Sequence, residues 1–214
     1  MRFLWSVRRI LGIILVACLG VVVTGAQLFS LATEAQQSGS PDPWQTILPA
    51  SEAITLEKAG YTWRMSPRAT YLITARVLRS QPYDDWQAQF VPVDVALGWG
   101  KVSDPAVDLW IDWWQEGRWY YYQRPRNAPL SQTYIREHSA NVHLIPATET
   151  VAAALLQLKT NDMVIMEGLL VDVEAGRDGQ MQQFYTSLTR LDEGDSSCEI
   201  LYVERLVMNE QEYR

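Results

Sequence analysis

The two histidines, His138 and His143, are the first candidates for chemistry, because an imidazole can act as an acid, a base or a metal ligand near neutral pH. Five positions separate them. On a β-strand that spacing places the side chains on opposite faces, and on a helix it is a poor spacing for shared metal ligands. The sequence therefore predicts no metal site and no cofactor, and each histidine is expected to be hydrogen-bonded at the edge of a core.

Cys198 and several carboxylates are the other candidates for catalysis. Cys198 is either a small buried core residue, which we favour, or a reactive thiol. The acidic residues around Gly194 could bind calcium, but they are more typical of a solvated hairpin tip; these residues are Asp192, Glu193 and Asp195. The residue types found in nuclease-like barrels are also present, without a recognisable spacing, at Asp94, Arg118, Arg190 and Asp192. No catalytic residue is therefore assigned.

Aromatic residues give the strongest functional signal. The chain has nine tryptophans and ten tyrosines, and they are densest between Trp110 and Tyr122. If this segment forms strands, half of its rings point away from a barrel interior. There they either pack a hairpin or dock a partner, since tryptophan and tyrosine dominate interface hot spots. The predicted partner-binding residues are Trp110, Trp113, Trp114, Trp119 and Tyr121.

The N-terminus predicts a membrane anchor. Residues 1–9 are basic, and residues 10–32 form an uncharged apolar stretch long enough to span a bilayer as a helix. The residues expected at the membrane surface are Trp5, Arg8 and Arg9. Basic residues before the span place the N-terminus in the cytoplasm and the rest of the chain in the periplasm of a bacterium. A signal peptide cleaved after Ala26 and a lipoprotein formed at Cys18 are alternatives that give the same compartment.

Composition divides the rest of the chain into a linker, a domain and a tail. Residues 33–50 are rich in Gln, Ser, Gly and Pro and predict a linker. Residues 51–208 are expected to form one extracytoplasmic domain, followed by a tail at 209–214. Three of the 18 basic residues precede residue 34, which leaves 15 against all 25 acidic residues. So acidic a domain repels phosphate backbones, and we expect a protein partner in the membrane or envelope and no nucleic acid.

The apolar pattern predicts a mainly β fold with one or two short helices (α+β), an OB-fold-like small barrel preceded by one transmembrane helix. The predicted strands are 71–78, 90–97, 139–146, 163–173, 182–190 and 198–208. A helix is predicted over 148–158 with Thr148 as its cap. The segment 106–124 fits either a helix or strands, and we expect a short helix followed by a hairpin. A helix inserted before the last strands of a Greek-key barrel is the OB arrangement.

Three stretches of the chain are distinctive as a set. They are Leu97–Gly100 with Ser103 and Asp104, His138–Ala147, and Ser187–Asp192 followed by Cys198 and Glu199. Together they resemble a family of bacterial proteins that carry an N-terminal membrane segment and have no assigned activity. The resemblance covers roughly residues 65–207. It implies a bacterial, envelope-facing protein and adds no catalytic residue.

These features predict a membrane-anchored extracytoplasmic binding or assembly module, an accessory component of a bacterial envelope or membrane-protein complex. A role without catalysis is favoured because no catalytic constellation is recognisable in the sequence. The alternative is an extracytoplasmic hydrolase, nuclease-like or other, that uses His138 or His143 with nearby carboxylates on an OB-like barrel.

Overall fold

A computed structural model describes residues 39–192, 194 and 197–214 of the chain. The strands are β1 (Trp44–Ile47), β2 (Ile54–Lys58), β3 (Tyr61–Pro82), β4 (Val93–Gly98), β5 (Asp112–Glu116), β6 (Trp119–Gln123), β7 (Ser139–Pro146), β8 (Met163–Arg177), β9 (Gln180–Phe184), β10 (Glu199–Met208) and β11 (Gln211–Tyr213). The helices are α1 (Pro105–Asp108), α2 (Gln132–Glu137) and α3 (Glu149–Leu155), and two 3-10 turns cover Trp86–Gln89 and Lys101–Ser103. A mainly β fold with short helices is therefore confirmed for the described residues.

Five of the strands close into a barrel. β3 pairs with β4, β4 with β7, β7 with β10, β10 with β8, and β8 pairs back with β3. β7 and β10 run parallel, and the other four pairings are antiparallel. α3 lies in the connection from β7 to β8. This order, with a helix before the last two barrel strands, is consistent with an OB-like β fold.

Every second residue of the barrel strands fills the interior, because successive side chains on a strand point to opposite faces. On β3 the interior residues include Tyr71 and Ile73, which are at most 1% exposed. α3 packs Leu155 into the same core. Its predicted cap is confirmed, since Thr148 Oγ1 accepts a hydrogen bond from the backbone N–H of Val151 at 3.2 Å.

A second, smaller core lies on the outer face of the barrel. The register between β3 and β8 shifts at a bulge between Pro67 and Ala69, and the part of β3 before this bulge carries Trp63. Trp63 packs there in one cluster with Ile145 of β7 and Ile200 of β10. The interior residues of β7 alternate with Ile145, so this cluster covers the face that points away from the barrel interior.

The segment between β4 and β7 contains the predicted short helix and hairpin. Asp104 caps α1 by accepting a hydrogen bond from the N–H of Ala106 at 2.8 Å. β5 and β6 then form a two-stranded hairpin. Trp113 of this hairpin packs against Ala96 of β4 and Ile135 of α2 in a third core, so the hairpin is held against the barrel.

Several segments differ from the sequence prediction. Part of the expected linker, 44–47, is β1 and pairs with β3, a distant partner that composition does not reveal. Part of the expected tail, 211–213, is β11 and pairs with β10. The strand expected over 182–190 ends at Phe184. Beyond Phe184, the side chain of Asp172 accepts a hydrogen bond from the backbone N–H of Thr186 at 3.0 Å.

The predicted anchor at 10–32 and its surface residues Trp5, Arg8 and Arg9 lie outside the described residues, as do residues 33–38 of the expected linker. Within the part of the chain that the structure describes, no helix is long and apolar enough to cross a membrane.

Candidate functional site

Asp94 and His143 are cross-strand partners on the outer face of β4 and β7. Their neighbours Val93 and Leu144 belong to the barrel core, so strand alternation turns the two polar side chains outward. His143 Nδ1 lies 3.0 Å from Asp94 Oδ1. The Asp94 side chain is fully buried, so protein donors have to replace the water that its carboxylate loses.

Arg118 reaches Asp94 from the turn of the β5–β6 hairpin. Its Nη1 lies 3.2 Å from Asp94 Oδ1, and its Nη2 lies 2.7 Å from Asp85 Oδ1. The guanidinium also lies 4.0 Å from the centre of the Tyr83 ring, within cation–π range. The hydrogen bond from Arg118 lowers the pKa of Asp85. Two carboxylates therefore hold the hairpin turn over the outer face of the barrel.

Cys198 belongs to the same group and immediately precedes β10. Asn141 Nδ2 lies 3.6 Å from Cys198 Sγ, and the thiol is close enough to His143 to contribute to the pKa shift of the imidazole. The same amide nitrogen donates to the backbone oxygen of Arg118 at 3.0 Å. Cys198 is 7% exposed. We call this connected set the Asp94 network, and its members are Asp85, Asp94, Arg118, Asn141, His143 and Cys198.

The Asp94 network keeps His143 protonated. Burial by itself would lower the pKa of this imidazole. The interactions with Asp94, whose Oδ1 lies 3.0 Å away, and with Cys198 outweigh burial and raise the pKa of His143 to about 10. At neutral pH His143 is therefore an imidazolium paired with the Asp94 carboxylate.

A second ion pair joins Arg190 to the buried Glu199, which follows Cys198 in the chain. Arg190 Nη2 donates to the Tyr71 hydroxyl at 2.8 Å, and its guanidinium lies 5.4 Å from the centre of the Trp99 ring. Burial raises the pKa of Glu199 to about 7, although the charge of Arg190 opposes this shift. Glu199 therefore changes its charge near neutral pH inside the protein.

The three stretches that carry the family resemblance meet at these two groups. Trp99 of the first stretch lies under Arg190 of the third. Asn141 of the second stretch contacts Cys198 of the third stretch. The family resemblance itself stays a prediction.

A cleft of about 270 Å³ opens beside the Asp94 network. Trp63, Trp119 and Phe184 are its aromatic walls, and Arg118 and His143 belong to its lining. The ring centres of Trp63 and Phe184 are 6.3 Å apart. Trp63 is 2% exposed, and its indole Nε1 has no hydrogen-bond partner among the described residues. Buried donors are nearly always satisfied in native proteins, so an unpartnered indole N–H is unusual.

The five aromatic residues predicted to bind a partner have different environments. Trp113 is 3% exposed, and its Nε1 donates to Asp108 at 2.8 Å, so it is a core residue and cannot contact a partner directly. Trp110, Trp114 and Tyr121 are each 43% exposed. Trp119 lines the cleft. Partner binding by the exposed residues stays a prediction.

His138 lies apart from the cleft. Its ring stacks on Tyr134 with centres 3.8 Å apart, and its Nε2 lies 3.8 Å from Asp42. In the acidic loop, Asp192 accepts a hydrogen bond from Ser187 Oγ at 2.8 Å, whereas Glu193 and Asp195 lie outside the described residues. Among residues 39–192, 194 and 197–214, no group of three or more His, Cys, Asp or Glu side chains could hold a metal ion.

Sequence reasoning named most members of the Asp94 network one at a time but missed the cleft residues Trp63 and Phe184. Trp63 is in phase with the alternation that begins at Tyr71, so extending that pattern towards the N-terminus would have placed it on the same strand. Phe184 carries no such signal, because it reaches the cleft through the pairing of β9 with Val173 on β8.

The comparisons with known proteins do not assign this chain to a family. No family model matches the chain, and no curated protein matches it. A solved structure that it resembles is the small single-stranded DNA-binding protein from Streptomyces coelicolor, with 10% sequence identity, a TM-score of 0.27, and coverage of 64% of this chain and 93% of that one. This likeness contradicts the expectation that nucleic acids are not partners, and that exclusion was wrong. At such a TM-score the likeness assigns no ligand.

Proposed function

We propose that this chain is a membrane-anchored, extracytoplasmic binding module that takes one uncharged ring of its ligand into the cleft beside Trp63. Residues 10–32 would be the anchor that keeps the barrel at the membrane surface. The observation that carries the proposal is a cleft with three aromatic walls and one buried, unpartnered indole N–H. In OB-like barrels the outer face between the loops is also where oligonucleotides and oligosaccharides bind.

The size of the cleft suits one ring rather than a whole molecule. Pockets for drug-sized ligands enclose about 300–1,000 Å³, and this cleft is just below that range at about 270 Å³. Aromatic walls provide apolar contact for a ring face, and Trp63 Nε1 provides one donor for a hydroxyl or carbonyl oxygen on it. The rest of the ligand is then expected to lie outside the cleft.

The charges around the cleft favour an uncharged ring. Arg118 and protonated His143 carry two positive charges, and both are balanced within the network by Asp85 and Asp94. We therefore favour an uncharged ring, such as one sugar ring of an oligosaccharide, as the group that enters the cleft.

A second depression extends the surface that a longer ligand could use. It encloses about 280 Å³ and is lined by Tyr61, Trp86 and Arg177 among other residues. The rings of Tyr61 and Trp86 are stacked with centres 5.1 Å apart, and both pack against the cluster that contains Trp63.

Titration followed by tryptophan fluorescence tests the proposal. The full-length chain in mild detergent is titrated with the uncharged trisaccharide of N-acetylglucosamine and, separately, with an oligodeoxythymidine. We expect saturable binding of the trisaccharide that weakens by about 3- to 10-fold in Trp63→Phe, because this variant keeps an aromatic ring and loses one hydrogen bond. Trp114→Ala, which removes an exposed ring outside the cleft, is the matched control and should bind as the wild type does.

Two results would overturn the proposal. The first is the absence of saturable trisaccharide binding. The second is binding that Trp63→Phe leaves unchanged and Trp114→Ala removes. Tight, salt-sensitive binding of the oligodeoxythymidine in place of the trisaccharide would overturn the assignment of an uncharged ring and identify a nucleic-acid ligand.

A further inference from the structure

We propose that the outer face of the β5–β6 hairpin binds an extended, arginine-bearing segment of a protein partner. This surface, which we call the hairpin face, consists of Asp112, Trp114 and Glu116 of β5 together with Tyr121 of β6. None of these four residues lines the ring-binding cleft. The inference therefore goes beyond the proposed function and does not depend on it.

Strand alternation divides the hairpin into two faces. Trp113 packs into the third core, so its neighbours Asp112 and Trp114 point away from that core. Glu116 follows Trp114 by two positions and shares its face. Cross-strand register places Tyr121 opposite Trp114. All four side chains of the hairpin face are exposed, so a partner can reach them while the core stays intact.

Trp114 and Tyr121 form a stacked pair of rings at the centre of the hairpin face. Their ring centres are 5.5 Å apart, their planes are 16° apart, and each side chain is 43% exposed. The two rings are already held against each other on paired strands, so a partner does not have to order them when it binds. A ring face of this kind attracts a cation that lies within about 6 Å of its centre.

Asp112 and Glu116 place a negative charge on each side of the ring pair. Each lies two residues from Trp114, or about 7 Å along the strand. Among the described residues, neither carboxylate has an ion-pair partner. Arg118, the basic residue at the hairpin turn, directs its guanidinium to Asp85 and Asp94 instead. The hairpin face therefore combines exposed rings with two unpaired negative charges and is complementary to cations.

The spacing on the hairpin face defines the matching segment. A carboxylate, a ring and a second carboxylate follow one another at every second residue of β5. An extended chain also presents every second side chain to one side, so the matching segment carries a cation at every second position. Arginine fits better than lysine, because its planar guanidinium both stacks on aromatic rings and pairs with a carboxylate through two hydrogen bonds.

Fluorescence anisotropy of a labelled peptide tests the proposal with the full-length chain in mild detergent. The probe is a blocked peptide of alternating glycine and three arginines, at about 150 mM salt, where the Debye length is about 8 Å. We expect saturable binding that Trp114→Leu weakens about 3- to 10-fold, because leucine keeps an apolar side chain and loses the ring face. Binding that Trp114→Leu leaves unchanged would contradict a cation on the rings. Lysine in place of arginine in the probe should weaken binding about 3-fold.

Two double variants that remove equal charge separate a local site from general attraction. Asp112→Asn with Glu116→Gln should weaken binding of the arginine peptide about 10-fold. Glu52→Gln with Glu210→Gln neutralises two exposed carboxylates outside the hairpin, and it should change the affinity less than about 2-fold because of salt screening. Equal weakening by both double variants would show that the peptide responds to the overall charge of the chain, and the proposal would be overturned.

A membrane surface is the other kind of partner that exposed aromatic rings suit. The fluorescence that Trp114 contributes is the difference between the wild type and Trp114→Leu. With the full-length chain in bilayers of brominated phosphatidylcholine, this contribution should stay unquenched. Quenching of it, or the absence of saturable binding at millimolar arginine peptide, would overturn the proposal. Neither result affects trisaccharide binding beside Trp63, so the two proposals fail separately.

Discussion

Asp94 and His143 face each other across β4 and β7 and are joined by a hydrogen bond of 3.0 Å on the outer face of the barrel. The fully buried Asp94 carboxylate accepts a hydrogen bond from Arg118, which the hairpin turn brings to it, and lies beside His143 of the neighbouring strand. Asp94 therefore couples the placement of the inserted hairpin to the candidate site.

The raised pKa of His143 predicts a loss of stability at alkaline pH. The folded-state pKa of about 10 lies above the ordinary value of 6.5. The folded protein therefore holds one more proton than the unfolded chain between these values, and stability falls as pH rises through this window. We expect the urea midpoint to drop between about pH 7 and 10. His143→Gln should flatten that dependence, whereas His138→Gln should retain it.

Glu199 predicts a pH dependence in a lower window. Its folded-state pKa of about 7 lies above the ordinary value of 4.5. Stability from this group is therefore full below about 4.5 and is lost as pH rises through 7. Glu199→Gln mimics the protonated form and does not titrate. As pH rises from about 5 to 8, its free energy of unfolding should therefore increase relative to that of the wild type. An identical pH dependence in both proteins would contradict the burial argument.

Removing Arg118 is expected to destabilise the fold. Arg118→Ala leaves the buried carboxylate of Asp94 with His143 as its remaining charged partner, and breaking a buried pair costs roughly 3 kcal/mol or more. Urea unfolding gives the magnitude. Asp94→Asn in the Arg118→Ala background should recover part of the loss, because it removes the uncompensated charge. A loss below about 1 kcal/mol in Arg118→Ala would show that the ion pair does not hold the hairpin.

Two neighbouring tryptophans should respond differently to truncation. Trp113 is 3% exposed and packs in the third core, whereas Trp114 is 43% exposed. Trp113→Ala should lower the free energy of unfolding by about 3–5 kcal/mol through the cavity it leaves. Trp114→Ala should change it by about 0.5 kcal/mol or less. Equal losses in the two variants would contradict the assignment of the hairpin faces.

Local sequence patterns predicted the elements whose residues interact with near neighbours in the chain. β7 has the predicted bounds, 139–146, because its alternation is continuous. Thr148 caps α3 as predicted, because capping is a contact between residues three positions apart. The predicted strand over 71–78 is the middle of β3. The first part of β3 keeps the same alternation and was missed, although only Pro67 argues against a strand there.

Local sequence patterns could not predict the candidate site, because its residues come together across different strands. Asp94 and His143 are 49 positions apart and become partners through strand register. Trp63 and Phe184 come together because β8 pairs with β3 on one side and β9 on the other. The exclusion of nucleic acids followed from net charge, which describes the whole surface and not the lining of one cleft.

The indole N–H resonance of Trp63 provides the most direct test of ring binding in the cleft. The full-length chain has nine tryptophans, and 15N labelling of their indoles with Trp63→Phe as the assignment control identifies the signal. During titration with the N-acetylglucosamine trisaccharide, we predict that the Trp63 resonance moves and saturates while that of Trp114 stays in place. A Trp63 resonance that does not move at saturating trisaccharide, or movement confined to Trp114, would contradict the account.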